Sequence, residues 1–261
     1  MITFNVVNGG AYFYRNFLRL SQHFTKIYAL DQLGWGLSSR PSFSKYYANA
    51  ESMLSDRVDS KNYACPKTID SDDNKKTRTM VRIAETFFVE SLEAWRKAMD
   101  IDSMVLAGHS MGGLIAVAYA EKYPKRVHQL ILISPVGVPE ETPAMIEARA
   151  ARTTWRFRLF EALFPFVSPG DVLRSIPESI GKKWIQDYVI RRLPAITKSK
   201  EQEAVAEYLY CNNGLFSGSG EYCLPKLLKP SVFGRLPLTN RIPVLNVRSC
   251  SFLYEIGRAH V

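Results

Sequence analysis

The 261-residue chain contains no apolar run approaching the roughly 18 uninterrupted residues of a membrane-spanning helix; even residues 130–138 are broken by Ser134 and Pro135. Its four cysteines, Cys65, Cys211, Cys223 and Cys250, lie far apart without a CxxC pair. That argues against a zinc site and a disulfide framework, and reads as four reduced thiols in an intracellular protein. The first ten residues show neither a basic segment nor an apolar one, so no secretory leader is expected. There is no internal repeat, low-complexity tract, phosphate loop, cofactor motif or metal-ligand cluster. The reading therefore implies no cofactor and no metal.

The charge is unbalanced. Lys and Arg number 34 against 25 Asp and Glu, giving a formal charge of +9 and a pI near 9.4. An excess of this kind suits nucleic acid or an anionic membrane surface. No zinc-finger, RNP or homeodomain-like pattern accompanies it, so nucleic acid is not expected. With 46% hydrophobic and 23% charged residues, the composition is that of an ordinary globular protein.

Residues 26–31 read as a short buried strand ending in Asp31, followed by a glycine-rich loop to Pro41. Residues 43–79 are polar and mixed in charge, which predicts a surface insertion. Apolar residues from Met80 to Met99 recur on one helical face. Residues 103–108 and 129–134 are apolar strands of the sort buried on both faces of a parallel sheet, with a helix between them ended by Pro124. Strand and helix alternating in this way predict an α/β fold. From residue 139 to 240 the strand signal vanishes and a helical, Arg- and aromatic-rich stretch takes over. Residues 242–247 then read as a returning strand. The expected organisation is a core over 1–138 with the insertion 43–79, a helical cap over 139–240 and a returning core strand within 241–255.

Gly108-His109-Ser110-Met111-Gly112 matches G-x-S-x-G at a strand-to-helix junction. The chemistry explains the spacing. A nucleophilic serine must occupy a sharp, strained turn that lifts its hydroxyl above the sheet. Gly108 and Gly112 let strand and helix approach, and Gly113 adds a small residue where the helix departs. The helix N-terminus favours developing negative charge, and the Met111 backbone N–H is placed as an oxyanion donor. The plainer alternative is a glycine-rich turn with an incidental serine. The base is less clear. His128 immediately precedes a strand, His23 precedes the serine, His109 sits inside the turn where it supports the backbone, and His260 is the penultimate residue. None is a convincing partner for Ser110.

Several segments together resemble α/β-hydrolase-fold enzymes, and more narrowly the α/β-hydrolase-domain-containing 4 and 5 subfamily. They are Asp31-x-x-Gly34-x-Gly36-x-Ser38-x-Arg40-Pro41, ESLEAWRK from Glu90, GHSMGG and the strand from Leu130. The segments YFYRNF from Tyr12, SPGDVLR from Ser168, GSGEY from Gly218 and LLKP from Leu227 carry the narrower match. The resemblance implies a mostly parallel sheet flanked by helices with a helical lid, and a serine hydrolase of acyl lipids with possible acyl-transfer capacity. The subfamily's coactivator branch carries asparagine where this chain has Ser110, so the serine favours the hydrolase branch. Family members have His-Gly-x-Gly where this chain has Phe4-Asn-Val-Val7, and place the triad acid and histidine beyond the strand at residues 244–247. The resemblance therefore implies that N- and C-terminal parts of the core, including two triad members, lie outside this chain. Residues 256–261 read as the translation of a sequencing-library adapter, a non-native tail that removes His260 from consideration.

The cap interleaves Arg149, Arg152, Arg156 and Arg158 with Trp155, Phe157, Phe160, Phe164 and Phe166. Such a stretch suits an anionic membrane or lipid-droplet surface with acyl chains beneath it. It also suits a cap that packs on its own aromatics. Expected partners are an acyl-lipid substrate and a peripheral lipid surface, in cytoplasm, droplet or mitochondrion. The competing readings are a non-catalytic lipid-surface or lipase-binding module and a small-molecule esterase.

Overall fold

The computed structural model describes residues 2–6, 9–54 and 72–254. Five parallel strands form one sheet: β1 (Ile2–Val6), β2 (Ile27–Asp31), β3 (Met104–His109), β4 (Val127–Ile133) and β5 (Cys250–Leu253), in spatial order β2-β1-β3-β4-β5. Between them run α1 (Tyr14–Leu20), α2 (Phe43–Leu54), α3 (Asp72–Ala98) and α4 (Met111–Lys122). Both faces of β3 are covered. Phe13, Phe17 and Leu20 pack on Ala107 and Ile131 from one side, while α3 and α4 fill the other.

The helices follow from their apolar spacing. On α3, Val81, Ala84, Phe88 and Leu92 recur every three or four residues, and all are buried against α4 and the sheet. The helix stops at Asp100, whose φ of 52° reverses the chain; the Asp100 and Ile101 amides then cap the carbonyls of Lys97 and Arg96. Helix α4 is buried from Met111 to Ala120 without a polar face, since it lies between α3 and the sheet.

Two expectations need correction. Residues 43–79 are not simply a polar insertion. Phe43, Tyr46, Tyr47 and Ala50 share one face of α2; Phe43 is only 2% exposed, and its ring meets Phe87 edge-on at 5.3 Å. The high polar content concealed that stripe, and α3 itself begins two turns before Met80. Residues 55–71, with Cys65, lie outside the described residues, as does the 256–261 tail with His260. The returning strand is β5, not residues 242–247. Pro243 has no N–H to give a ladder, and Ile242–Val244 forms a 3₁₀ turn behind the anchored Arg241. A strand not among those expected, β1, occupies the second position in the sheet.

Arg241 shows what holds that segment. Its guanidinium is 1% exposed and meets Glu85 at 2.6 Å and Glu121 at 2.7 and 2.9 Å; Arg82 pairs with the same two carboxylates. Desolvation of Arg241 is outweighed by the two glutamates, which push its pKa upward and keep it charged. Buried charge of this kind is tolerated only when fully paired.

The stretch after β4 is helical, as expected. It holds α5 (Pro143–Arg152), α6 (Trp155–Leu163), α7 (Pro169–Ser175), α8 (Glu178–Arg192), α9 (Ser199–Tyr210) and the short α10 (Leu224–Leu227). Thr142, Thr154 and Ser168 cap α5, α6 and α7, the last in a reciprocal capping box with Asp171. No described helix is long and apolar enough to cross a membrane.

Candidate active site

Ser110 sits where β3 ends and α4 begins, with φ 55° and ψ −120°. For a residue with a Cβ this backbone is strained by roughly 1–3 kcal/mol. The surroundings impose it. The Ser110 amide donates to the Ile133 carbonyl at 3.0 Å, and its own carbonyl accepts from Gly113 at 3.0 Å and Val136 at 3.2 Å. A Cβ on Gly108 would lie 2.4 Å from the Gly112 carbonyl oxygen, and one on Gly113 would lie 2.8 Å from the Pro135 ring. The turn thus closes only with glycine at both positions. Ser110 is half-buried, and its hydroxyl makes no cap bond to the helix it precedes. Met111, the first residue of α4, turns its N–H to the helix start, where anionic charge is stabilised.

His109 points away from this chemistry. Its ring stacks on Tyr12 at 6.3 Å and meets Phe13 edge-on at 5.4 Å, joining β3 to the segment before α1. His128 is exposed at the start of β4. Because His109 pairs in register with Ile133, His128 lies five residues toward the other end of the sheet, about 16 Å away at strand spacing. His23 precedes β2, again at the far end. Among the described residues no histidine reaches Ser110, and no group of His, Cys, Asp or Glu is arranged to hold a metal ion.

Asp31 organises the neighbouring loops. One carboxylate oxygen accepts from the Gly10 amide and the other from Leu37 at 2.8 Å, while the Ser38 hydroxyl donates to the Asp31 carbonyl at 2.6 Å. Gly36 takes a φ of 55°, and a Cβ there would strike the Asp31 carboxylate. The Ala11 amide is engaged by the Tyr208 hydroxyl from α9, whose pKa is raised by burial and by Asp31. The amides of Gly10 and Ala11 are therefore committed to holding the loop.

The glycine-rich loop after Asp31 also seats the cap. Arg40 donates to the carbonyls of Ser217 and Asn212, both at 2.9 Å, and its guanidinium lies 5.0 Å from the Phe216 ring centroid. The Ser219 hydroxyl donates to the Pro41 carbonyl at 2.5 Å. A Cβ on Gly34, where φ is 85°, would overlap the Gly220 amide. Beyond this seam, Arg174 bridges Asp171 and Glu221 at 2.7 Å each, and Tyr222 donates to Asp171 at 2.8 Å. The segments singled out from Ser168 and Gly218 thus meet in space within the cap, directly behind its seam with the loop after Asp31. From the other side Arg15 grips both oxygens of Glu201 at 2.9 Å, tying α1 to α9. Sequence reasoning missed Tyr208, since nothing local distinguishes it; Arg15 lies in the YFYRNF segment, which was singled out for its resemblance and not for this contact.

Two clefts flank the site without including Ser110. One of about 620 Å³ runs along the outer edge of β2, lined among others by Gly10, Trp95, Tyr208 and Gln32. Both amide atoms of the Gln32 side chain are buried without a partner. The other, of about 410 Å³, lies between α2 and the cap.

A family model described as the alpha/beta hydrolase fold matches residues 7–171. The 1-acylglycerol-3-phosphate O-acyltransferase of Arabidopsis thaliana is 30% identical over 234 residues, covering 87% of this chain and 47% of that protein. The human 1-acylglycerol-3-phosphate O-acyltransferase ABHD5 is 34% identical over 222 residues, covering 83% and 51%. The chain spans about half the length of the curated relatives it matches. Among solved structures, an epoxide hydrolase from Bacillus megaterium superposes with a TM-score of 0.56 at 16% identity, covering 98% of this chain and 85% of its own. The thioesterase domain of the curacin biosynthetic pathway gives 0.52 at 13%, covering 97% and 82%. At these identities the structural likeness speaks for the fold alone.

Proposed function

We propose that this chain, which belongs to the α/β-hydrolase fold family, carries the nucleophile of an enzyme acting on acyl lipids. Ser110 attacks the acyl carbonyl, and the Met111 N–H stabilises the tetrahedral oxyanion. The general base and its acid partner come from outside the described residues. The acyl-serine formed is then released to water, as in deacylation of a phospholipid, lysophospholipid or N-acyl phospholipid, or to a lipid hydroxyl, as in acyl transfer. The observation that carries this reading is the strained backbone of Ser110, held between Gly108 and Gly113 at the head of a buried helix. Strained backbone of this kind clusters at active sites, where the surroundings hold a side chain in its working geometry.

The cap supports a lipid substrate. Trp155, Leu159 and Leu163 occupy one stripe of α6, and Phe166 follows it; Trp155 is 70% and Phe166 80% exposed. Phe157, Phe160 and Phe164 pack ring against ring, at 5.8 and 5.6 Å. An apolar stripe beside exposed Arg158, on a chain of charge +9, suits a peripheral lipid surface. Such a surface, on a droplet or an intracellular membrane, is the proposed location.

The test compares turnover of phospholipid vesicles with turnover of short-chain esters by the protein that carries these residues. Faster turnover of the vesicle lipid, abolished by Ser110→Ala, is expected. Turnover of short esters alone returns the protein to the small-molecule esterases. One observation favours a second reading: no described histidine approaches Ser110. A non-catalytic lipid-surface module would bind vesicles equally well with Ser110→Ala and turn nothing over.

A further inference from the structure

The 410 Å³ cleft between α2 and the cap shares no residue with the elbow that holds Ser110. Its walls are Phe43 and Tyr47 of α2, Phe164 and Phe166 of the cap, and Tyr222 and Lys226. The volume falls within the usual range for a small-molecule site, and five aromatic rings contribute to the lining. Phe43 is fixed in the core by Phe87, whereas Phe166 stands free at the edge of the cleft. One wall is therefore rigid and the other able to close over a ligand.

The polar groups of this cleft are unevenly paired. Glu221 is consumed, one oxygen by Arg174 at 2.7 Å and the other by the Ser219 amide at 2.9 Å. Lys226, by contrast, makes no ion pair or hydrogen bond among the described residues; its ammonium lies over the Tyr47 ring, 4.7 Å from the centroid. The Tyr47 hydroxyl has no hydrogen-bond partner among them either, and burial followed by Glu51 raises its pKa to about 12, so it remains a donor. The neighbouring cation Lys229 is different, being paired with Glu141 at 2.9 Å. The cleft thus carries a cation and a phenol, both with donors to spare: Glu51 acts on the Tyr47 hydroxyl without hydrogen-bonding it, and Glu221 is already engaged by Arg174 and Ser219. The complementary ligand is an apolar chain ending in an anion.

We propose that this cleft is a binding site for an anionic single-chain amphiphile, with the chain against Phe43, Phe164 and Phe166 and its carboxylate or phosphate on Lys226 and Tyr47. The site does not depend on Ser110, and it stands or falls separately from the acyl-lipid chemistry proposed above. A dansyl-labelled undecanoate titrated into the intact protein reads it by fluorescence. The expected result is one saturable site from which dodecanoate or dodecyl phosphate displaces the probe, while dodecyltrimethylammonium and dodecanol do not. Whichever anion competes better identifies the head group. Lys226→Gln is expected to weaken binding at least tenfold, Lys226→Arg to retain it, Tyr47→Phe to weaken it a few-fold, and Ser110→Ala to leave it unchanged. Equal displacement by the cationic or neutral amphiphile overturns the proposal even if Lys226→Gln does not fold. Binding by a folded Lys226→Gln within twofold of the parent also overturns it.

Discussion

The core and the cap are stabilised in opposite ways. In the core, α4 buries every side chain from Met111 to Ala120, and its neighbours join Glu85, Glu121, Arg82 and Arg241 in a closed charge network. The cap leaves Trp155, Leu159, Leu163 and Phe166 in solvent. Its last part buries Cys223, Leu227, Leu228 and Leu238 in the core, and polar fastenings join the rest, notably Arg15 to Glu201, Arg40 to the 212–217 carbonyls and Ser219 to Pro41. Dense burial fixes the strained backbone of Ser110, whereas α6 and the turn after it keep apolar side chains in solvent.

That contrast predicts a graded set of responses. The largest is expected for Arg241→Met, which leaves Glu85 and Glu121 facing Arg82 alone in the interior. Breaking a buried network of this sort costs about 3–5 kcal/mol, readable as a shift in the urea midpoint at unchanged slope. Arg158→Ala, an exposed cap cation, should cost less than about 0.5 kcal/mol in the same measurement. If the two costs are similar, the distinction between core and cap fails.

Next comes Glu93, on α3. Its hydrogen bonds from Arg96 at 2.8 Å, outweighing desolvation, and then from Tyr119 at 2.7 Å hold its pKa at about 2, against an ordinary 4.5. In the cap, Asp171 is pushed upward by burial, but the Ser168 amide, Arg174 and Tyr222 together bring it to about 2, against 3.8. Both carboxylates are lowered in the folded protein. The stability they confer is complete above their unfolded values and is lost as pH falls from about 4.5 toward 2. Glu93→Gln should cost about 1–3 kcal/mol at pH 7 by stranding Arg96, and should flatten the acid limb of a stability-against-pH curve. An acid limb identical to the parent's would remove Glu93 from the account.

A smaller effect of opposite sign is expected for Ser110→Gly. Relief of about 1–3 kcal/mol of backbone strain is partly offset by the roughly 0.5–1 kcal/mol entropic cost of glycine. The variant should melt at or slightly above the parent while losing all turnover. A clear loss of stability would show that the backbone at Ser110 is not strained. The smallest change belongs to Trp155→Ser, predicted to leave the melt within about 0.5 kcal/mol while weakening flotation with anionic vesicles. Undiminished flotation would take the α6 stripe out of the lipid-facing surface.

The core was legible in the sequence because each of its demands is local. Two apolar strands, a glycine on either side of a serine and a helix with buried small residues all announce themselves within a dozen residues. The parallel α/β sheet and the strand-to-helix turn at Ser110 could be read on that basis. Where recognition depends on distant partners, the sequence was mute. Arg241 looks like any surface arginine until Glu85 and Glu121 are seen beside it, and Tyr208 gains meaning only from Ala11 and Asp31. The α2 stripe was hidden for a different reason: Phe43, Tyr46 and Tyr47 are diluted by Ser44, Lys45 and the charged residues that follow. Residues 242–247 misled because an apolar run containing Pro243 has the composition of a strand but lacks a donor the ladder needs. The cap's helices were readable, whereas its seam with the loop after Asp31 emerged only from the fold.

The central claim is that Ser110 is a nucleophile and not an incidental residue in a tight turn. A fluorophosphonate probe applied to the protein carrying this chain, followed by mass spectrometry of the labelled peptide, tests it most directly. The account predicts covalent phosphonylation of Ser110, absent after denaturation and absent in Ser110→Ala. A folded protein that leaves Ser110 unmodified while a control serine hydrolase is labelled would contradict it, and the lipid-binding module would then be the better description.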